Sequence, residues 1–461
     1  MTVADKLRSD AERAQDSRVA VIGMGYVGLP LALSLHEAGL NVVGVDGNEI
    51  RLDVLRGGAS PIDDVPDGRI EQAVHNGFSV VTTSEASLGE ADAIFVCVPT
   101  PVNPSREPDL TAVLSAASLI ARSLRRGQLV VLQSTTYPGT TSGPFRQELE
   151  RTGLVAGEDF GLAYAPERLS PGDASTLTAP KLVGGLTPAD TARAALLLRR
   201  LGGEVVELSS PDAAEMAKLL ENVFRNVNIA LVNQLALLCE RMGLDVWEIT
   251  EAAATKPFGF MPFRPGPGVG GHCIPVDPYY LAWRARQFGL NDRFVELAGD
   301  INNAMPRHVV SLVAEALNEH GRALKGARIG ILGVAFKPNV RDARNSPAGE
   351  VIAELSKRGS MLSYHDPHVP SFVDAQNQSY GSRELDGILA ESDAIVAMTK
   401  HAAIDWTHVY SHARLVVDTV NSSAGLITKP RQTLRLGAGW HISPESSEAL
   451  LAGRARRPLA P

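Results

Sequence analysis

The segment RPGPGVGGHCIPVDPYYL, residues 264–281, sets a thiol, Cys273, in a glycine-dense loop four residues ahead of a carboxylate, Asp277. Glycines lack Cβ, so backbone amides in such a loop can come close to a ligand. A cysteine there can serve as a nucleophile through its thiolate. The other reading of any single cysteine is a small core residue. Cys97, in an apolar strand, and Cys239, inside a long apolar helix, receive that second reading. For Cys273 both stay open on the residues alone.

A second group lies on one helix face. Lys218 and Asn222 stand at i and i+4 in the otherwise apolar AKLLENVF. They form either a cation and an amide donor aimed at a developing oxyanion, or a snorkelling lysine beside a solvated asparagine. Two strand ends also carry reactive types: Ser134-Thr135-Thr136-Tyr137-Pro138-Gly139-Thr140, and Ala165-Pro166-Glu167-Arg168. Ligands of open α/β sheets bind at carboxyl ends of strands, and ordinary turn chemistry uses the same residues.

Gly23, Gly25 and Gly28 spell G-x-G-x-x-G between an apolar strand, RVAVIGMG, and a helix, LPLALSLHEAG. Gly23 permits the tight turn, Gly25 lets a pyrophosphate approach, and Gly28 lets helix and strand pack, with the helix N-terminus toward the anion. Asp46 closes the next strand, where a carboxylate accepts from ribose hydroxyls and repels a 2′-phosphate. NAD is the expected cofactor, although Arg51 could meet a phosphate.

These residues must be held by elements, and the chain's texture supplies them. Strand–helix alternation (18–25, 29–39, 40–46, then strands at 91–99, 127–135 and 160–168) implies a parallel sheet. From Pro211 to about Gly243 the apolar spacing predicts one long helix. DVWEITEAAAT and a helical stretch ending at Gly321 follow it, with the Gly/Pro-rich loop 257–278 between them. Strand–helix texture then returns, with strands at 327–336, 361–367, 392–399 and 414–420 and a helix at 346–359. The fold class is α/β: two Rossmann-like doubly wound domains joined by a central helical domain. The second copy lacks a full glycine fingerprint, which leaves the dinucleotide to the first. Expected bounds are a polar N-terminal extension 1–17, an NAD-binding domain 18–210, a helical centre 211–321, a second Rossmann-like domain 322–450 and a tail 451–461.

The 461 residues exceed one ordinary core, and 44% apolar with 21% charged residues is a globular balance. A net charge of -8 argues against a general nucleic-acid binder. No apolar run is long enough for a membrane span and no signal core is visible, so the cytoplasm is expected. Three cysteines fit a reducing compartment. No metal site is assigned.

Taken together, GMGYVGLP, VPTP, STTYPGT, APER, AKLLEN, GPGVGGHCIPVDPYYL and GVAFKPNVRDARNSP resemble, in that order, the UDP-glucose / UDP-N-acetylhexosamine 6-dehydrogenase family over nearly the whole chain. The resemblance implies an NAD-binding Rossmann domain, a helical centre that forms a homodimer or higher homo-oligomer, and a UDP-binding second Rossmann domain. It implies two oxidations of a UDP-sugar. C6–OH gives an aldehyde, Cys273 captures it as a thiohemiacetal, a second hydride loss leaves a thioester, and water releases the uronate. In that scheme Lys218 and Asn222 steady oxyanions, Thr135 and Asp277 hold water and relay protons, and Glu167 serves thioester hydrolysis. The resemblance places the cofactor against Gly23, Gly25, Tyr26, Val27, Gly28, Asp46, Arg51, the turn Val98-Pro99-Thr100-Pro101, Thr135 and Arg344. It places the nucleotide sugar against Glu167, Arg168, Lys218, Asn222, Arg264, Gly268, Gly270, Phe336 and Lys337.

His272 and Val276, in His-Cys-Ile-Pro-Val-Asp-Pro-Tyr-Tyr, look like the N-acetylhexosamine branch. TKPFGFMPF and SPIDDVPD look closest to its UDP-N-acetylglucosamine members. UDP-glucose and UDP-N-acetylmannosamine are the near alternatives. The chain departs from the pattern at Asn345 and at Val420, which stands where the family often has a substrate-contacting arginine. Gln133 and Gln234 stand where Glu is common. Val420 is the ground for the alternative of a nucleotide-sugar-binding regulator that has lost turnover.

Overall fold

The computed structural model describes residues 17–103, 105–168, 179–374 and 377–440. The expected N-terminal extension, apart from Ser17, and the tail lie outside them. The chain divides into two compact units, one of residues 1–222 with 276–292, the other of residues 223–275 with 293–461.

The first unit is built on an eight-stranded sheet. Its strands are β1 Arg18–Ile22, β2 Asn41–Asp46, β3 Ser79–Thr82, β4 Ala93–Val96, β5 Leu129–Leu132, β6 Gly161–Tyr164, β7 Lys181–Gly185 and β8 Val205–Leu208. Their order is β3-β2-β1-β4-β5-β6-β7-β8, parallel except where β6 meets β7. Strands β4, β5 and β6 are buried at every position. That is why they read as unbroken apolar runs: helices cover both faces of a parallel sheet. The chain leaves β1 toward β2 and β3 and returns on the other side of β1 as β4, so the β1/β4 crevice is a topological switch point.

The second unit repeats the plan on six strands. They are β9 Arg328–Leu332, β10 Met361–His365, β13 Ala394–Ala397, β14 Val416–Asp418, β15 Thr433–Arg435 and β16 Gly439–Trp440, in the order β10-β9-β13-β14-β15-β16. A separate hairpin pairs β11 Ser371–Val373 with β12 Ser379–Gly381. The switch point falls between β9 and β13. Each unit has its own apolar clusters, with Val21, Phe95 and Leu33 in one and Ile331, Val396 and Val351 in the other.

The long helix runs Pro211–Met242, as its uninterrupted apolar spacing predicts. The helix ending near Gly321 is Arg293–Glu319, and it carries a buried Pro306 in its interior. The strand expected over 160–168 stops at Tyr164, and Ala165 to Arg168 continue as irregular chain.

Candidate active site

In the first unit the glycine turn after β1 shows three different fits. Gly23 has φ +97°, and a Cβ on it would lie 2.4 Å from the Cys97 carbonyl oxygen. A Cβ on Gly28 would lie 1.8 Å from the Gly23 oxygen. Around Gly25 there is nothing within 4 Å of that position. Gly23 and Gly28 are thus required by packing, whereas the space over Gly25 is open. The helix that follows, Gly28–Glu37, is capped at Val27 with no side-chain hydrogen bond, and Leu29 N donates to the Gly25 carbonyl at 3.1 Å. Tyr26 and Val27, both half-buried, complete the turn.

Asp46 is buried at the end of β2. One oxygen accepts from Met24 N at 2.8 Å and from Arg51 Nη1 at 2.9 Å, and the other from Asn48 N at 2.8 Å. Arg51 is therefore paired with the carboxylate expected to meet the ribose. The open approach at Gly25 and the anchored Asp46 fit a dinucleotide. NAD would be held by Gly23, Gly25, Gly28, Asp46 and the turn at Val98, Pro99 and Thr100. In that turn Val98 O accepts from Ser134 Oγ at 2.8 Å, and Pro101 O from Tyr280 Oη at 3.0 Å.

The same unit brings the carboxyl ends of β5 and β6 to the long helix. Lys218 is 8% exposed, Asn222 9% and Asp277 3%, which rules out a snorkelling lysine and a solvated asparagine. Lys218 Nζ donates to the Glu167 carbonyl at 2.6 Å, and Asn222 Nδ2 to Asp277 Oδ2 at 2.5 Å. Burial raises the Asp277 carboxyl to about 6, against the pull of the Lys218 charge and the Asn222 hydrogen bond. The helix Asp277–Gln287 starts at Asp277 with a proline in its first turn, so the carboxylate is set by a helix start and not by a flexible loop.

Glu167 accepts from Arg168 N at 2.7 Å and Gln133 Nε2 at 3.2 Å. The Cys97 thiol donates to Gln133 Oε1 at 3.6 Å, and burial beside Glu167 pushes it far above the ordinary thiol range. Cys97 is a core residue, as expected. Arg168 is ion-paired with Glu221 at 2.7 Å. Thr135 is half-buried between Ser134 and Thr136.

The sequence reading missed Glu215, one turn before Lys218. It is wholly buried and accepts from Gly139 N, Thr141 N, Thr141 Oγ1 and Thr136 Oγ1 at 2.7, 2.9, 2.6 and 3.2 Å. Burial raises its carboxyl to about 7. An acidic residue among apolar neighbours facing a hydroxyl-rich turn was the available signal.

In the second unit the glycine loop packs closely. Gly266 N donates to Asn233 Oδ1 at 2.9 Å. A Cβ at Gly268, where φ is +131°, would meet Pro347 at 3.3 Å, and one at Gly270 would meet Phe336 Cβ at 2.8 Å. Asn345 Nδ2 donates to the Gly271 carbonyl at 3.1 Å. His272 Nε2 lies 3.2 Å from Asp342, which also binds Arg344 at 2.8 Å. Although burial raises the Asp342 carboxyl, hydrogen bonds from His272 and Arg344 hold it well below the usual carboxylate range. The Cys273 thiol is exposed, so the core reading fails for it. Arg264 is exposed, and Phe336 and Lys337 are half-buried.

The turn after β9 mirrors the turn after β1, with a difference. Val334 N and Ala335 N donate to Asp366 Oδ2 at 2.7 and 3.0 Å, as Met24 N does to Asp46. Here His401 Nε2 adds a contact at 3.1 Å to the same oxygen, with both side chains wholly buried.

Two Rossmann-type sheets, one with an open glycine turn and an acid at the β2 end, define a dinucleotide-dependent dehydrogenase architecture. Residues 17–201, 212–304 and 330–424 match the NAD binding, central and UDP binding domains of the UDP-glucose/GDP-mannose dehydrogenase family. The chain belongs to that family and is an NAD-dependent UDP-sugar dehydrogenase. It is 37% identical to UDP-N-acetyl-D-glucosamine 6-dehydrogenase of Pseudomonas aeruginosa over 80% of this chain and 86% of that one. It is 36% identical to UDP-N-acetyl-D-mannosamine dehydrogenase of Salmonella typhi over 87% of this chain and 98% of that one. The solved UDP-D-ManNAc dehydrogenase of Pyrococcus horikoshii superposes with a TM-score of 0.82 at 32% identity, covering 92% of this chain and 99% of that chain.

Proposed function

We propose that this enzyme oxidises UDP-N-acetylglucosamine at C6 to the uronate in two steps, with Cys273 as the nucleophile. Bound NAD would accept the hydride in each oxidation. The reading rests on the buried Lys218–Asn222–Asp277 group. A cation, an amide donor and a carboxyl poised near neutrality are what successive alkoxides and a proton relay require. Asp277 takes up and returns the proton at the sugar oxygen. Cys273 Sγ adds to the aldehyde carbon, because a bare aldehyde has no oxyanion to expel a second hydride. Lys218 and Asn222 steady the oxyanions, Thr135 holds the water and Glu167 assists thioester hydrolysis. Arg264, Gly268, Gly270, Phe336 and Lys337 hold the nucleotide sugar.

The choice of sugar is supported by His272 and Val276 around the cysteine and by the 37% relative; the 36% relative keeps UDP-N-acetylmannosamine as the runner-up. Incubation with UDP-N-acetylglucosamine, UDP-N-acetylmannosamine and UDP-glucose should give two NADH per N-acetylglucosamine and a uronate mass. One NADH per sugar would mean a simple alcohol dehydrogenase, and sugar binding with no NADH a regulator. Cys273→Ser should lower overall turnover by more than about a hundredfold and arrest the reaction before the uronate. Uronate formed at the parent rate would exclude the covalent route.

We also propose the 211–321 stretch as a central helical domain that makes a homodimer. Its support is the exposed apolar stripe Phe224, Leu231, Leu235, Leu238 and Met242 on the long helix, each at least 42% exposed. Among the described residues no helix is long and apolar enough to cross a membrane.

A further inference from the structure

We propose that Glu215 is a positioning residue for the dehydrogenase reaction: its buried carboxylate clamps the 136–141 turn to the start of the long helix and thereby fixes Thr135 relative to Lys218. The inference rests on the roles given to Thr135 and Lys218 above. Strand β5 ends at Leu132, so the turn that follows has no sheet ladder to hold it. Glu215 supplies the missing partners. Two backbone amides, Gly139 N and Thr141 N, and two hydroxyls, Thr136 Oγ1 and Thr141 Oγ1, all reach its two oxygens. Thr136 adjoins Thr135 in the chain, and Lys218 lies one helical turn beyond Glu215.

Further ties act with the clamp. Ser142 Oγ donates to Asp212 at 2.6 Å, one turn before Glu215. Tyr137 packs in a cluster with Leu219 and Tyr280. Lys218 itself is anchored to the Glu167 carbonyl. The face bearing Glu215, Lys218 and Asn222 therefore binds the β5 end, the β6 end and the start of the Asp277 helix in sequence. A neutral side chain at 215 would strand buried donors. Glutamine would turn its NH2 toward one of the two backbone amides. Aspartate keeps the charge but falls one methylene short.

The test uses the full-length enzyme, NAD and UDP-N-acetylglucosamine, or whichever UDP-sugar of the panel is turned over. Glu215→Gln should lower kcat by about tenfold to a hundredfold while KM for the sugar stays within about twofold, since small misplacements of reacting groups cost rate before binding. Glu215→Asp should recover part of the loss. Thr135→Ala should cost tenfold or more in the parent and less than about threefold in Glu215→Gln, because coupled residues are non-additive. Amide exchange at Gly139 and Thr141 should accelerate in Glu215→Gln, a readout that needs no turnover. If Glu215→Gln does not fold, Thr141→Val probes the clamp from the other side and should lower kcat at least threefold at constant KM. Parent-level kcat in the folded variant, additive losses with Thr135→Ala, or unchanged exchange at the two amides would each overturn the clamp. If no UDP-sugar yields NADH, the proposed reaction fails and the exchange measurement still decides the clamp.

Discussion

Burial moves the Asp277 carboxyl from an ordinary 3.8 to about 6, and this has a sign for stability as well as for chemistry. A carboxyl whose folded value is raised stabilises the fold fully below its unfolded value, and that contribution is lost as pH rises through the folded one. Asp277 should therefore stabilise the protein near pH 4 and cost up to about 3 kcal/mol of that by pH 8. Asp277→Asn keeps an acceptor for Asn222 without the charge. Its stability should fall less than the parent's between pH 4 and pH 8, as denaturant titrations at each pH would show, while turnover drops severely. Equal pH slopes in the two proteins would show that Asp277 is solvated in solution. The residue types at this site were legible: the i, i+4 spacing of Lys218 and Asn222 put both on one face. Their burial was not, because the elements that cover them come from strands more than fifty residues earlier in the chain and from the helix that begins at Asp277. For the same reason Glu215 passed unnoticed, since its four donors gather only when the turn after β5 folds onto the helix.

At the scale of elements, the three glycines of the first turn make different demands. Gly28→Ala drives a methyl to 1.8 Å from the Gly23 oxygen, and the helix must shift away from the strand to admit it. A loss of about 1–3 kcal/mol is expected, seen as a lower melting temperature. Gly25→Ala meets nothing within 4 Å, so its melting temperature should match the parent's, while NAD affinity should fall by about tenfold or more if the pyrophosphate approaches this glycine, as the fingerprint allows. Calorimetric titration with NAD separates the two; a cooler-melting Gly25→Ala with normal NAD binding would reverse the assignment. Buried strands such as β1, β4 and β9 were visible as apolar runs because both their faces are covered. Strand β8, half exposed at its ends and exposed in its middle, has no such run, and β7 spends two of its five positions on glycine. Gly184 and Gly185 are there for close approach: a Cβ would come within 2.0 Å of the Ser210 oxygen and 2.3 Å of Thr191 N. Such contacts leave a strand with little β propensity to read.

At the scale of the molecule, the repetition of one fold plan was legible, and so was the restriction of the glycine fingerprint to the first copy. What fills the second copy was not. Asp366 follows the end of β10 much as Asp46 closes β2, and its Oδ2 is taken by two backbone amides and by His401. His401 Nδ1 accepts from Asn339 N at 3.0 Å, which assigns the Nε2–H tautomer and ties the turn carrying Phe336 and Lys337 to the end of β13. His401→Ala leaves a wholly buried carboxylate short of a donor and opens a cavity, at a cost of about 2–4 kcal/mol. Because the two units have separate apolar cores, that loss should fall on one of them. Calorimetry of the parent should resolve two unfolding transitions. His401→Ala should lower one of them, and UDP should raise that same one, whereas NAD at a hundred times its dissociation constant should add about 2.7 kcal/mol to the other. One transition moved alike by UDP, NAD and the substitution would mean that the long helix shared by both units makes them a single cooperative block.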